Sequence, residues 1–137
     1  MRRRARARAI QALYAWDLAG RLSTATLENF ADRLWFDLAV ASDERDVASR
    51  LINVVQLRLE EIDTGITATT RNWRLGRLGA IERAVLRLGS AELMQGDTPP
   101  RVVIQEAVTL AERFGTLESA RFVNGVLDAI ARQRGSL

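Results

Sequence analysis

At 137 residues, with 47% hydrophobic and 27% charged side chains, the chain is long enough to bury a real core and reads as one soluble globular domain. It contains no His, Cys or Lys, which excludes Ser-His-Asp and Cys-His chemistry, ordinary structural zinc, a phosphate-loop lysine and any Schiff base. Net charge is only +3 but unevenly spread: residues 1–20 carry five Arg against one acid, 21–70 five against nine, and 71–137 ten against seven.

Five of the first eight residues are arginine, and this RRRARAR head runs without a break into AIQALYAW. A cationic segment continuous with a packed helix presents its charge in a fixed place, as a phosphate-reading surface requires. All twenty basic residues are Arg, which is planar, always charged and bidentate towards phosphate. GC-rich coding explains an all-Arg count but not its clustering at one end. The first helix is predicted over residues 3–19, with Ala9, Ile10, Leu13 and Trp16 on one face and Gly20 as its stop.

On a helical wheel Arg3, Ala7, Gln11 and Tyr14 share one flank beside the core stripe. Tyr14 therefore sits at the border, where a phenol either stacks a base or caps the core. Arginine beside an aromatic ring is the pattern expected for single-stranded RNA, with a solvated, functionless arginine face as the plain alternative. Gln11, Asp17 and Arg21 interrupt the stretch after the head, so it reads as neither a signal peptide nor a span, and LWF at 34–36 is far too short to cross a bilayer. Absence of cysteine fits a reducing cytoplasm.

A second helix is predicted from a Ser23 or Thr24 cap, with Leu27, Phe30, Leu34 and Leu38 inward. Ser42 or Asp43 caps a third, in which Val47, Leu51, Val54, Val55, Arg58 and Ile62 recur at helical spacing. Short turns and a joint are expected over 64–79. From Ala80 a helix carries Ile81, Val85, Leu88 and Leu93 to a stop at Gly96. DTPP then breaks the chain and starts a helix with Val103, Ala107, Val108, Ala111 and Phe114, ended by Gly115. Thr116 caps the last helix, with Val123, Leu127 and Ile130 inward.

Within SARFVNGVLDAIA, a mid-helix glycine costs about 1 kcal/mol relative to Ala. Gly125 is therefore expected to permit close packing, Asn124 to hydrogen-bond a neighbouring backbone, and Phe122 to be partly exposed. The expected fold class is all-α: six to seven helices in two small packed bundles, one domain with halves over about 1–70 and 71–137. Glu60, Glu61 and Asp63 read as a solvated helix end, so no catalytic residue, metal or cofactor is nominated and the chain is not expected to be an enzyme.

Four blocks now carry a resemblance: RRRARARAIQALYAWDL, AIERAVLRLGSAEL, VVIQEAVTLAERFG and SARFVNGVLD. In order and spacing they resemble the NusB family of bacterial transcription antitermination factors, over about 2–18 and 73–131, whereas 20–70 carries little of the likeness. The resemblance implies two small packed helical bundles. It also implies a factor that binds boxA RNA of nascent ribosomal transcripts together with NusE, a small-subunit ribosomal protein, within an RNA polymerase antitermination complex. Implied RNA contacts are Arg2, Arg3, Arg4 and Arg6, with Gln11 and Tyr14 on the same helix and Glu118 and Phe122 near the last one. The implied NusE-facing acid is Glu82, with Arg83 and Arg87 beside it.

Some family members self-associate when free, so a homodimer is among the implied states. Departures from the family pattern are Ala7 for the frequent Glu, Glu118 for the commoner Asp, and the small Thr70 and Gly76. Two rival readings remain: a scaffold whose basic helix docks an acidic partner or membrane surface, and a NusB-like domain related to those of RNA cytosine methyltransferases.

Overall fold

A computed structural model describes residues 2–20, 25–71 and 78–137. Among these the chain forms seven helices and no strand: α1 Arg2–Ala19, α2 Leu27–Asp37, α3 Ser42–Leu57, α4 Leu59–Thr69, α5 Ala80–Gln95, α6 Pro100–Phe114 and α7 Leu117–Gln133. The all-α class expected from helical periodicity is the class observed. No described helix is long and apolar enough to cross a membrane.

Helix α5 organises the rest, packing against α1, α3, α4, α6 and α7. Every residue from Ala84 to Leu93 is buried, as befits a helix enclosed on all sides. That burial sets a problem, because Arg87, Ser90 and Glu92 lie inside it and a buried charge must find a partner. Gly89 makes the enclosure possible: a Cβ there would lie 2.8 Å from Leu127 Cδ1, so α5 and α7 meet across a bare backbone. Gly96 ends α5 at φ +76°, a left-handed C-cap that disfavours other side chains.

Several local expectations need correction. The Ser23 and Thr24 caps lie outside the described residues, and α2 is capped by Thr26, whose hydroxyl accepts from Asn29 N at 3.2 Å. Its buried face is Leu27, Ala31 and Trp35, while Phe30 and Leu34 sit at the rim and Leu38 is exposed. The indole decides the rotation: Trp35 is fully buried and donates from Nε1 to Arg8 O at 3.2 Å, tying α2 to α1.

Helix α3 starts at Ser42 behind Ala41, with no side-chain cap. The helix expected to reach Ile62 breaks at Arg58 (φ −120°, ψ 22°), and α4 runs on as a regular helix to Thr69 where short turns were predicted. Residues 72–77 of the expected joint fall outside the described residues.

Gly125 does not serve packing, since nothing lies within 4 Å of a Cβ built there. Asn124 is exposed, and its side chain makes no hydrogen bond among the described residues. The boundaries at Gly20, Gly96, Gly115 and Pro100 fall where predicted. Thr116 forms a reciprocal capping box with Ser119, and Val123, Leu127 and Ile130 are buried.

Candidate nucleic-acid interface

Helix α1 packs against α2, α3 and α5, burying Ala5, Ala9, Ile10, Ala12 and Leu13 and leaving one long face to solvent. By helical period that face carries Arg4, Gln11, Tyr14 and Leu18, with Arg3 on one flank and Arg8 on the other. Arg4, Tyr14 and Leu18 are exposed, Gln11 is half-buried, and Tyr14 retains 36% of its surface. At 1.5 Å per residue, Arg4 and Tyr14 are about 15 Å apart along the helix.

The arginine head occupies an electrostatically unfavourable place. A helix N-terminus already carries a partial positive charge, and α1 has no acid in its first turn to offset it. Acids on other helices do so instead, each on a different arginine. Arg6 is buried and donates from Nε and Nη2 to Glu92 of α5 at 2.8–3.1 Å, with both side chains 5% exposed. Burial disfavours its charge, but the hydrogen bonds and charge of Glu92 outweigh that and raise its pKa.

Arg8 meets Glu44 of α3 at 3.1 Å and also donates to Gln11 Oε1 at 3.2 Å. Arg3 meets Glu106 of α6 at 3.0 and 3.1 Å. The hydrogen bond from Arg3, reinforced by charge, holds the Glu106 carboxyl below the usual carboxylate range, and Glu106 in turn raises Arg3.

Arg2 lies on the other side of the helix end, reaching Thr98 Oγ1 at 3.4 Å and lining a cleft with Arg50, Gln95 and Asp97. Arg4 is exposed and makes no ion pair among the described residues. Of the four arginines nominated for RNA, then, Arg6 is the one whose guanidinium lies inside the fold, bonded to Glu92.

Two of the nominated partner residues are also engaged internally. Arg83 binds Asp17 Oδ2 at 2.7 Å and donates to Leu78 O. Arg87 is buried against Asp63 at 2.9 and 3.0 Å and stacks over Trp16, 5.8 Å from the ring centroid. These pairs hold α5 to α1 and α4. The pairs Arg6–Glu92 and Asp17–Arg83 run in opposite orders, so α1 and α5 are antiparallel and the start of α5 lies beside the end of α1.

At that end Glu82, Glu118 and Phe122 line one groove with Leu78, Gly79, Thr116 and Ser119. Residues assigned separately to partner and RNA are thus brought together. Glu82 is half-buried and folds back over Gly79, where a side chain would collide with its carboxylate. As an acid in the first turn it also suits the helix dipole. Phe122 is half-buried at the core edge, and Glu118 is exposed. Sequence reasoning missed Glu44, Glu92 and Glu106, because 36 to 103 positions separate each acid from its arginine.

No group of three or more acids placed to hold a metal ion occurs among the described residues. Fold and face together define an all-helical module whose terminal helix displays charge and an aromatic ring on a braced scaffold. The chain belongs to the NusB family, whose model matches residues 3–132.

It is 45% identical over 134 residues to the transcription antitermination protein NusB of Treponema pallidum, covering 96% of this chain and 92% of that protein. To the protein of the same name from Anaeromyxobacter dehalogenans it is 40% identical over 131 residues, covering 95% and 89%. Among solved structures, NusB of T. maritima superposes with a TM-score of 0.84 at 35% identity, covering 96% of this chain and 91% of that one. A crystal structure of the antitermination factors NusB and NusE in complex with dsRNA gives 0.84 at 31%, covering 96% of each chain.

Proposed function

We propose that this protein is a transcription antitermination factor that binds boxA-type single-stranded RNA of nascent ribosomal transcripts together with NusE. One observation carries the reading: the solvent face of α1, where Arg4 meets no acid among the described residues at a positive helix end and Tyr14 stays accessible about 15 Å away. Arginine at a helix N-terminus is a natural phosphate site, and a ring further along the same face offers a stacking platform. Membership of the NusB family and the likeness to a NusB–NusE–RNA assembly support it.

Arg2, Arg3 and Arg4 contact phosphates, while Tyr14 and Phe122 stack bases. Gln11 and Glu118 make polar contacts to the RNA. Arg6 acts indirectly, by fixing α1 on α5. The groove of Glu82, Glu118 and Phe122 faces NusE and the RNA that passes beside it, with Glu82 as the NusE-facing acid.

The protein acts without catalysis, cofactor or metal, in the cytoplasm, as part of an RNA polymerase antitermination complex, and the free protein can form homodimers. Its helices fold as one domain, with halves over about 1–70 and 71–137. Fluorescence anisotropy with boxA-type RNA, with and without NusE, tests this. Saturable binding that NusE strengthens is expected, and absence of binding in both titrations contradicts it.

A further inference from the structure

Arg3 and Glu106 form a pair unlike the others of the head. Glu106 stands on α6 with its side chain 18% exposed, whereas Arg3 keeps 61%. The carboxylate takes Nε at 3.0 Å and Nη2 at 3.1 Å, gripping the guanidinium along its side edge. An arginine has five N–H donors in one plane, and this grip uses two. One hydrogen of Nη1 and the second of Nη2 stay at the outer end, a fork that takes a phosphate bidentately.

Glu106 is mostly covered while Arg3 stands in solvent, so the two-pronged contact fixes the guanidinium without withdrawing it from solution. Arg6 and Glu92 show the contrasting case, with both partners buried and the whole guanidinium withdrawn from solvent.

We propose that Glu106 is a positioning residue for RNA recognition, holding Arg3 side-on so that the outer edge of its guanidinium is preset for a backbone phosphate. This rests on the RNA-binding reading above. A free arginine gives up much rotamer freedom on binding, and one already held has given it up in the folded protein. Glu106 also repels an approaching phosphate, but across the guanidinium and beside solvent that repulsion is screened. The carboxylate is well suited to the task, because the hydrogen bond and charge of Arg3 and the charge of Arg6 keep it ionised below the usual range.

The test is a double-mutant cycle read by anisotropy with boxA-type RNA and NusE, comparing the wild type, Glu106→Ala, Arg3→Ala and the double variant. Glu106→Ala should weaken binding about threefold to tenfold, the range for leaving one long side chain unordered. It should also flatten the plot of log affinity against log salt by about 0.7, one phosphate contact. In the Arg3→Ala background the same change should do nothing. Glu106→Gln, which keeps one acceptor without the charge, should fall between Glu106→Ala and the wild type, and it serves where the alanine variant fails to fold.

Tighter binding by Glu106→Ala or Glu106→Gln overturns the proposal, because the carboxylate would then be shielding Arg3. An equal loss with and without Arg3 also overturns it, because Glu106 would then act through the fold. RNA binding by the wild type with no change in either Glu106 variant overturns the positioning role alone. A wild type that binds no RNA overturns the functional reading and this one with it.

Discussion

Arg4 and Arg6 stand two positions apart on α1 and about 200° apart around it, and that rotation separates two kinds of arginine. Arg6 turns inward, is buried and gives its guanidinium to Glu92. Arg4 turns outward and meets no acid among the described residues. Written as RRRARAR, the head reads as one cationic block. In the fold it is sorted into residues that hold the helix and residues that face solvent. The inner set provides the rigidity that gives the outer set a fixed aim.

The largest predicted effect tests the inner side. Glu92→Ala leaves Arg6 buried without a partner and should destabilise the protein by about 3–5 kcal/mol in urea unfolding. Arg4→Ala should change stability by no more than about 0.5 kcal/mol. Comparable losses for the two would erase the distinction.

The same inside–outside contrast extends to two glycines. Gly89→Ala drives a methyl into the buried Leu127 and should cost about 1–3 kcal/mol. Gly125→Ala meets open space on an exposed helix face and should stabilise by about 1 kcal/mol. On the binding side, Tyr14→Ala should weaken RNA binding by about 1–3 kcal/mol, the worth of one base stack, with little change in unfolding midpoint.

The smallest effect is at the boundary between the two sets. Glu106 has a pKa lowered in the folded state, so its contribution is full above its unfolded pKa and fades as pH falls through the folded value. Glu106→Gln should therefore be slightly less stable than the wild type at neutral pH. The two unfolding midpoints should converge once the wild-type carboxylate is protonated.

Much of this fold was legible because helix punctuation is local chemistry. Gly20, Gly96, Gly115, Pro100 and the Thr116 cap each act on their own turn, and each marks its boundary correctly. The inward face of α2 was misjudged because Trp35 outweighs Leu38 once it can reach the Arg8 carbonyl on another helix. The break at Arg58 carries no glycine or proline to announce it.

At the site, helical period placed Arg3, Gln11 and Tyr14 on the accessible side of α1, but it also put Ala7 there, which is buried. The separation of Arg6 from Arg4, and the pairings of Arg83 and Arg87, did not follow from that period. They depend on acids brought close only by tertiary packing: Glu92 lies 86 positions from Arg6, and Asp17 lies 66 from Arg83. The shared groove of Glu82 with Glu118 and Phe122 was likewise invisible before α5 met α7.

The most direct test is the salt dependence of RNA affinity for the wild type and Arg4→Ala, measured side by side with NusE present. Phosphate contacts at Arg2, Arg3 and Arg4 give the wild type a slope of about −2 in log affinity against log salt, and removing Arg4 should make it shallower by about 0.7. Coincident lines for the two proteins would mean that the outward arginine is not what binds.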